Sequence, residues 1–196
     1  MSDPPAAGPE AGSAAVSEAP SAFEPQAGMV ATGTAIMDPD PGLLHGCPVE
    51  DLLGAVVVHC NRDGYYALCS ALKADGYDMP IGVTGVDYLT HPGRSLPSPI
   101  VAQRFEVVVE LLALAARHRV RVRCQVPADD PHVPTLFELW PGTEAHERET
   151  YDMYGIRFDN HPDPSRILMP EDWEGHPLRK DYDTGHVPVQ FKEAPR

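Results

Sequence analysis

Lys and Arg are absent from the first 48 positions of this 196-residue sequence, which hold ten Ala, eight Pro and almost no large apolar residue in a periodic arrangement. Such a segment cannot bury enough apolar surface to offset the entropy that it would lose on ordering. We therefore predict that residues 1–48 form a disordered, acidic Ala/Pro-rich tail and that the fold begins near Val49. The tail also lacks the basic start and the apolar core of about 7–15 residues of a secretory signal, so we expect a cytosolic location.

Long apolar runs, patterned cysteines and nucleotide-binding loops are also missing. The run from Val107 to Ala116 contains Glu110 and is shorter than the roughly 20 residues of a membrane span. Four cysteines, at 47, 60, 69 and 124, match neither zinc nor iron–sulfur spacing, so we expect reduced thiols. There is no phosphate-binding loop, no Gly-x-Gly-x-x-Gly and no Gly-x-Ser-x-Gly. The excess of 29 acidic over 15 basic residues disfavours non-specific binding to nucleic acid or anionic lipid.

The first part of the predicted domain contains helical and extended patterns. "PVEDLLGA" (48–55) has apolar residues at 49, 52 and 53 and predicts a short helix. "VVVHC" (56–60) is β-branched and predicts a strand. In residues 62–77, Tyr65, Leu68, Cys69 and Leu72 form a helical stripe that Gly76 can end. Residues 79–91 carry scattered β-branched residues and lead into "HPGRSLPSP", a predicted loop.

Residues 104–126 decide the fold class. The second half alternates, with Val120, Val122, Cys124 and Val126 on one side and polar residues between them, and predicts a half-buried strand. The first half, from Phe105 to Ala115, fits either a strand or a helix, and a hairpin is favoured because "AARHR" is a short polar link. We therefore predict an α+β class, with a mostly antiparallel sheet packed against helices on one face.

A helix is predicted from about Glu144, with Thr143 as N-cap and Gly155 at the end. From Ile156 onward, prolines at 162, 164, 170, 177, 188 and 195 exclude a long regular element, which predicts an extended C-terminal arm. The predicted organisation is a tail (1–48), an α+β domain (49–155) and an arm (156–196).

The charged segment "ERETYDMYGIRFDNHPDP" (147–164) admits several interpretations. Arg148 and Asp152 are four apart on the predicted helix, and an exposed pair of this kind contributes under about 1 kcal/mol, as on any solvated helix face. The neighbouring aromatics and Met instead indicate an interface. "FDNHP" and "WEGHP" are both followed by an Arg that could bind a carboxylate or a carbonyl.

A metal site is the other interpretation of this region. His161, His176 and His186, with Glu147, Glu149 or Asp152, could supply ligands, but the spacing lacks His-Glu-x-x-His. A hydrolase with two carboxylates is equally underdetermined.

"ERETYDMYGIRFDNHP" followed by "RILMPEDWEGHPLRKDY" resembles the signature of the thirty-kilodalton subunit, or C subunit, of respiratory NADH–quinone oxidoreductase (complex I). The resemblance covers Glu147 to Tyr182 and extends more weakly back to about Val49. It implies a non-catalytic, cofactor-free subunit of a proton-translocating enzyme, peripheral on the cytoplasmic face of the cell membrane. It further implies an arm wrapped on the neighbouring D subunit near the quinone-reducing end, with FMN and iron–sulfur clusters in partner subunits.

The residues that the resemblance assigns to the partner interface, with no catalytic or metal-binding role, are Glu147, Arg148, Glu149, Asp152, Gly155, Ile156, His161, Pro162, Arg166, Trp173, Gly175, His176, Pro177, Arg179, Lys180 and Asp181. The chain departs from the family pattern at Thr143–Ala145, where Ala-Asn-Trp is usual, and at Pro164–Ser165, where Leu-Arg is usual. The alternatives are a subunit of a related hydrogenase-type or photosynthetic complex, a partial complex, or a stand-alone metal-dependent hydrolase.

Overall fold

A six-stranded sheet is the centre of the computed structural model, which describes residues 42–183 and 185. The strands are β1 (Leu43–Leu44), β2 (Cys47–Leu52), β3 (Ala55–Asn61), β4 (Met79–Asp87), β5 (Phe105–Ala113) and β6 (His118–Val126), in the order β1-β2-β3-β6-β5-β4. All neighbours are antiparallel except β3 and β6, which are parallel. The other elements are the helices α1 (Arg62–Ala74) and α2 (Glu144–Tyr154), a 3-10 helix (Pro141–Thr143), and the parallel pair β7 (His132–Pro134) and β8 (Arg157–Asp159). The predicted α+β class with a mostly antiparallel sheet is confirmed.

The predicted hairpin at 104–126 is formed by β5 and β6. Its register runs from Phe105 opposite Val126 to Ala113 opposite His118. The first half of residues 104–126 forms a strand and not a helix, because β5 lies between β4 and β6 and its backbone polar groups are hydrogen-bonded in the sheet.

Helix α1 covers the apolar face of the sheet with the predicted stripe. Tyr65, Leu68, Cys69 and Leu72 are all buried, and they belong to the same core cluster as Val122. The helix ends at Ala74, and Gly76 follows with φ +92°, a conformation that glycine adopts without strain. The thiols of Cys60, Cys69 and Cys124 are free and buried, and burial raises the pKa of Cys69 and Cys124.

The opposite face of the sheet carries a buried polar network. The Glu106 carboxylate accepts hydrogen bonds from Arg123 Nε at 2.6 Å and from Gln125 Nε2 at 2.5 Å. Arg94, from the loop between β4 and β5, stacks 3.5 Å from the ring centroid of Tyr88 and reaches Glu106 at 3.5 Å. The network satisfies a carboxylate that would otherwise be buried without a partner.

The predicted helix at 48–55 is wrong, because these residues form most of β2 and the turn into β3. Val49 pairs with Val58, and Leu53 and Gly54 form a two-residue turn with φ values of +56° and +83°. Three apolar residues in eight positions fit a helix and a strand alike, and the pairing with β3 decides between them.

The start of the fold also differs from the prediction at residues 42–48. β1 begins at Leu43, and Leu44 is buried in the core, so these residues are not disordered. The disorder predicted for residues 1–41 lies outside the described residues and stays a prediction.

Helix α2 has the predicted bounds. Gly155 ends it with φ +70°, and its N–H donates to the Tyr151 carbonyl at 2.7 Å. Thr143 occupies the N-cap position without capping the helix, because its hydroxyl donates to the Trp140 carbonyl. Just after the helix, Ile156 and Phe158 belong to the core, so the core continues into the first residues of the predicted arm.

Candidate functional site

The buried carboxylate of Asp152, near the end of α2, organises the candidate site. Its Oδ2 accepts the backbone N–H groups of Ile167, Leu168 and Met169 at 3.1, 2.8 and 2.8 Å. Its Oδ1 accepts a hydrogen bond from Arg166 Nη1 at 2.5 Å. Burial alone would raise the pKa of Asp152, but the three amides and the guanidinium outweigh burial and hold it below its ordinary value. Asp152 thus fixes a C-terminal segment, which we define as residues 160–183, against the helix.

The last carbonyl groups of α2 are bonded by the same segment. A helix end leaves its final carbonyls without partners inside the helix. The partners here are His176 Nδ1 for the Asp152 carbonyl (2.9 Å), the Leu178 amide for Met153 (3.0 Å) and Arg179 Nε for Tyr154 (2.5 Å). The "GHPLR" motif is therefore the cap of α2.

Gly155 allows this close approach. A Cβ atom at this position would lie 2.5 Å from ring atoms of His176 and from a guanidinium nitrogen of Arg179. The left-handed backbone at Gly155 independently disfavours any other residue. Both constraints explain a glycine in this part of the motif.

The end of the described segment is tied to the sheet through Asp87, the last residue of β4. The Asp87 carboxylate accepts hydrogen bonds from Arg104 at 3.0 and 2.9 Å and from the Lys180 amide at 2.9 Å. Arg104 also pairs with Asp181 at 2.6 Å. Burial alone would raise the pKa of Asp87. The hydrogen bonds from Arg104 and from the backbone amides outweigh burial, so the pKa lies below its ordinary value.

Glu147 and His161 are among the residues that line a cleft of about 430 Å³. Glu147 is fully buried and accepts hydrogen bonds from the Thr135 hydroxyl at 2.5 Å and the Leu136 amide at 2.8 Å. Burial raises the pKa of Glu147, and these hydrogen bonds oppose the rise only in part. Aromatic and basic side chains line the cleft beside these two, namely Tyr151, Phe158, Arg148 and Arg157.

The tautomer of His161 follows from its two contacts. Nδ1 accepts the Asp163 N–H at 3.1 Å, so in the neutral ring the proton lies on Nε2, which donates to the Glu144 carbonyl at 3.2 Å. Nε2 lies 3.8 Å from the Glu147 carboxylate. Both ring nitrogens are thus engaged within the chain.

The predicted pair between Arg148 and Asp152 is not formed. Arg148 instead bonds Glu144, one turn earlier, at 3.1 Å, and the Ser165 hydroxyl at 2.9 Å. Its carboxylate partner in the loop is Asp163, at 3.3 Å. The prediction failed because the loop after the helix folds back on it and offers each side chain a different partner.

Most of the predicted interface residues meet in this arrangement, but through contacts within the chain. The residues that bond the C-terminal segment, or lie where it contacts α2, are Arg148, Asp152, Gly155, Arg166, Gly175, His176, Arg179, Lys180 and Asp181. Glu147 instead bonds Thr135 and Leu136, and Ile156 lies in the core. Glu149 and Trp173 are exposed. Three residues that complete the arrangement, Asp87, Arg104 and Thr135, were missed from the sequence because they lie far from the motif along the chain.

The described residues contain no group of three or more His, Cys, Asp or Glu side chains that could hold a metal ion. His161 and His176 are engaged as described, and His186 lies outside the described residues. The metal-dependent hydrolase therefore has no ligand set in this part of the protein. No helix of residues 42–183 is long and apolar enough to cross a membrane.

The fold and the site define a class of protein, namely an α+β domain in which motif residues of the chain hydrogen-bond its own C-terminal segment to the second helix. The family described as "Respiratory-chain NADH dehydrogenase, 30 Kd subunit" matches residues 58–187. The chain belongs to this family. The C subunit of the NADH-quinone oxidoreductase of Saccharopolyspora erythraea is 41% identical over 158 residues, 76% of this chain and 60% of that protein. NADH-quinone oxidoreductase subunit 5 of Thermus thermophilus is 43% identical over 76% of this chain and 72% of that protein.

Solved structures are also similar to the chain. A structure titled "Nqo5 of the trypsin-resistant fragment (1-134) in P63 form" matches with 38% identity and a TM-score of 0.53, covering 60% of this chain and 89% of that one. The fold alone is shared with a chain of an archaeal membrane-bound sulfane sulfur reductase, at 19% identity and a TM-score of 0.58 over 71% of this chain and 82% of that one. The chain spans about 60% of the length of the first curated relatives that it matches.

Proposed function

We propose that the chain is a peripheral-arm subunit of an NADH–quinone oxidoreductase, and that its C-terminal segment docks on the neighbouring D subunit near the quinone-reducing end. In this proposal the chain lies on the cytoplasmic face of the membrane without spanning it. It carries no catalytic chemistry and no cofactor, and the FMN and iron–sulfur clusters belong to partner subunits. Membership of the family supports the assembly, and the arrangement of the segment supports the mode of docking.

The observation that carries the docking proposal is a set of four exposed apolar side chains on a segment whose backbone is bonded to α2. We call this set the row, because its members follow one another along the segment. Ile167, Leu168, Trp173 and Leu178 are each at least 41% exposed. The amides of Ile167 and Leu168 are bonded to Asp152, and that of Leu178 to Met153. A preordered backbone lowers the entropic cost of association, and exposed aromatic and aliphatic anchors supply its driving force.

In this proposal the arginines of the motif hold the segment in place and do not themselves contact the partner. Arg166 and Arg179 are turned inward onto carboxylate and carbonyl oxygens, while Glu171, Asp172 and Glu174 are exposed and have no ion pair among the described residues. We therefore propose that the outer face of the segment is apolar with an acidic rim. A partner surface with an apolar centre and basic surroundings would fit it.

The test is affinity purification of the tagged full chain from mildly solubilised membranes of its host, with the D subunit quantified in the eluate. Leu168→Asn removes an apolar anchor, keeps the Leu168 amide for Asp152 and adds no second negative charge beside that carboxylate, and it is expected to reduce recovery of the D subunit by at least about tenfold. Val101→Asn, at an apolar residue that is 64% exposed in the loop before β5, is the matched control. Equal recovery with both variants would refute docking through this row, and partners from a hydrogenase-type complex would assign the chain to that assembly.

A further inference from the structure

A second apolar surface lies at the end of the sheet away from Asp87. The β2–β3 turn and the β5–β6 turn meet at this end, because Val56 in β3 lies opposite Val120 in β6. Leu53, at the tip of the first turn, is fully exposed, and Leu114, at the second, is 61% exposed. Leu52 and Met79, from β2 and the start of β4, are exposed at the same end. We call these four residues, with Arg117 and Arg119, the tip surface.

The residues of the tip surface share one end of the sheet by register. Arg119 lies opposite Leu112, and Leu112 lies opposite Met79. From β2 to β4 this row crosses four strand spacings, or roughly 19 Å. The surface is thus wide enough to contact a segment of another protein.

Leu53 is not explained by the turn that it occupies. A two-residue hairpin turn in which both residues have positive φ normally carries Asn, Asp or Gly at the first position, because other side chains are strained there. Leu53 has φ +56° and Gly54 has φ +83°, while the Asp51 carboxylate accepts the Gly54 amide at 2.8 Å. A strained leucine whose side chain contacts only solvent favours a role outside the fold.

The charges at the tip surface indicate the chemistry of its partner. Elsewhere on the same sheet face, Arg121 is paired with Glu110 and Arg123 with Glu106. Arg117 and Arg119 are exposed and have no ion pair with any described residue. Two unpaired cations beside exposed leucines, in a protein of net charge −14, are complementary to an apolar surface that carries carboxylates.

We propose that the tip surface docks a second protein of the same assembly, through an apolar patch bordered by Asp or Glu side chains. The proposal rests on the proposed function, since it takes the partner from that assembly. It goes beyond the proposed function because the chain would then contact two different proteins, one through the C-terminal segment and one through the tip surface. The C-terminal segment is tied at the Asp87 end of β4, and the tip surface lies at the Met79 end.

Leu53→Asn separates docking from folding. Asn suits the positive φ of the turn, so the purified variant should melt at the same temperature as the wild-type chain or higher, while it loses the apolar anchor. In affinity purification of the tagged full chain from mildly solubilised membranes, recovery of one protein of the assembly should fall by at least about tenfold. Arg119→Glu should lower recovery of the same protein. Val101→Asn, at a residue that is 64% exposed in the loop before β5, is the control and should recover all subunits as the wild type does.

A photo-crosslinking amino acid at position 53 identifies the contact. The proposal requires a crosslink to another protein of the assembly, in a peptide that contains Asp or Glu, and it requires the D subunit to remain bound in Leu53→Asn. It is overturned if that variant recovers every subunit as the wild type does, or if the crosslink joins a second copy of this chain. Flotation of the purified chain with phosphatidylglycerol vesicles, lost in Leu53→Asn, would also overturn it in favour of a lipid surface. A wild-type chain that recovers no subunit of the enzyme would instead refute the proposed function, and this proposal with it.

Discussion

At the scale of single residues, Asp152 is the group on which the C-terminal segment depends. Asp152→Asn replaces an acceptor-only carboxylate with an amide that cannot serve three backbone N–H groups and Arg166 together. We expect a loss of about 3 kcal/mol in the free energy of unfolding, because charged hydrogen bonds are lost and Arg166 keeps no anionic partner. Urea denaturation measures the loss, and hydrogen exchange should show reduced protection of the amides of residues 167–169.

The exposed acid Asp172 provides the control for this prediction. Asp172→Asn should change stability by less than about 0.5 kcal/mol, since no described residue forms an ion pair with Asp172. If Asp152→Asn were equally mild, Asp152 would not hold the segment.

Glu147 gives the molecule a pH dependence of opposite sign to that of Asp152. A carboxyl whose pKa is raised above its ordinary value of 4.5 binds protons more tightly in the folded state, so its contribution to stability is lost as pH rises through the folded pKa. Glu147→Gln cannot ionise. The free energy of unfolding of this variant, minus that of the wild type, should therefore increase as pH rises above the ordinary value of 4.5.

Urea denaturation at several pH values measures this difference, and Glu149→Gln, at an exposed position of the same helix, is the control. The acids with lowered pKa, Asp87 and Asp152, stabilise the fold above their unfolded pKa and lose this effect as pH falls through their folded pKa. They are shared by both proteins, so they cancel in the comparison. A difference that is flat with pH would contradict the assignment.

Sequence reasoning recognised the charged residues of the motif but not their partners. The i, i+4 rule pairs Arg148 with Asp152, whereas the fold gives Asp152 three amides about fifteen residues later. Periodicity describes neighbours on one helix and carries no information about a loop that returns to it. The same limit hid Asp87 and Arg104, which meet the motif only in the folded chain.

At the scale of the elements, Gly155 links the end of α2 to the C-terminal segment. Gly155→Ala should destabilise the protein by more than about 1 kcal/mol, because the positive φ is strained for Ala and the added methyl collides with His176 and Arg179. Gly64→Ala, in α1 with open space around the added methyl, should stabilise by about 0.5–1 kcal/mol. Thermal unfolding of both variants measures the contrast. If Gly155→Ala left the stability unchanged, the close contact of His176 and Arg179 with this residue would be contradicted.

The elements differ in how well the sequence specified them. α1 and β6 were predicted because their apolar residues keep one period over seven or eight residues, which distinguishes helix from strand. The apolar residues of β5 fit a strand and a helix alike, and the short polar link to β6 favoured the strand. β2 was misread because its apolar residues are few, and because Leu53 gives no sequence signal of a turn. The parallel pairing of β3 with β6 could not be predicted, since it joins strands that are more than fifty residues apart.

At the scale of the whole molecule, the chain has one fixed apolar row on its C-terminal segment and a second apolar surface at the far end of its sheet. Both expose side chains that the fold does not use. This distribution fits the proposed function, in which the chain is a subunit that joins neighbours.

The decisive measurement is the identity of the proteins that copurify with the tagged wild-type chain from mildly solubilised host membranes, together with their NADH–quinone activity. We expect the D subunit, the cluster-bearing subunits and the activity to be recovered together. A chain that emerges alone, or with proteins unrelated to an NADH–quinone oxidoreductase, would contradict the proposed role as a docking subunit of that enzyme.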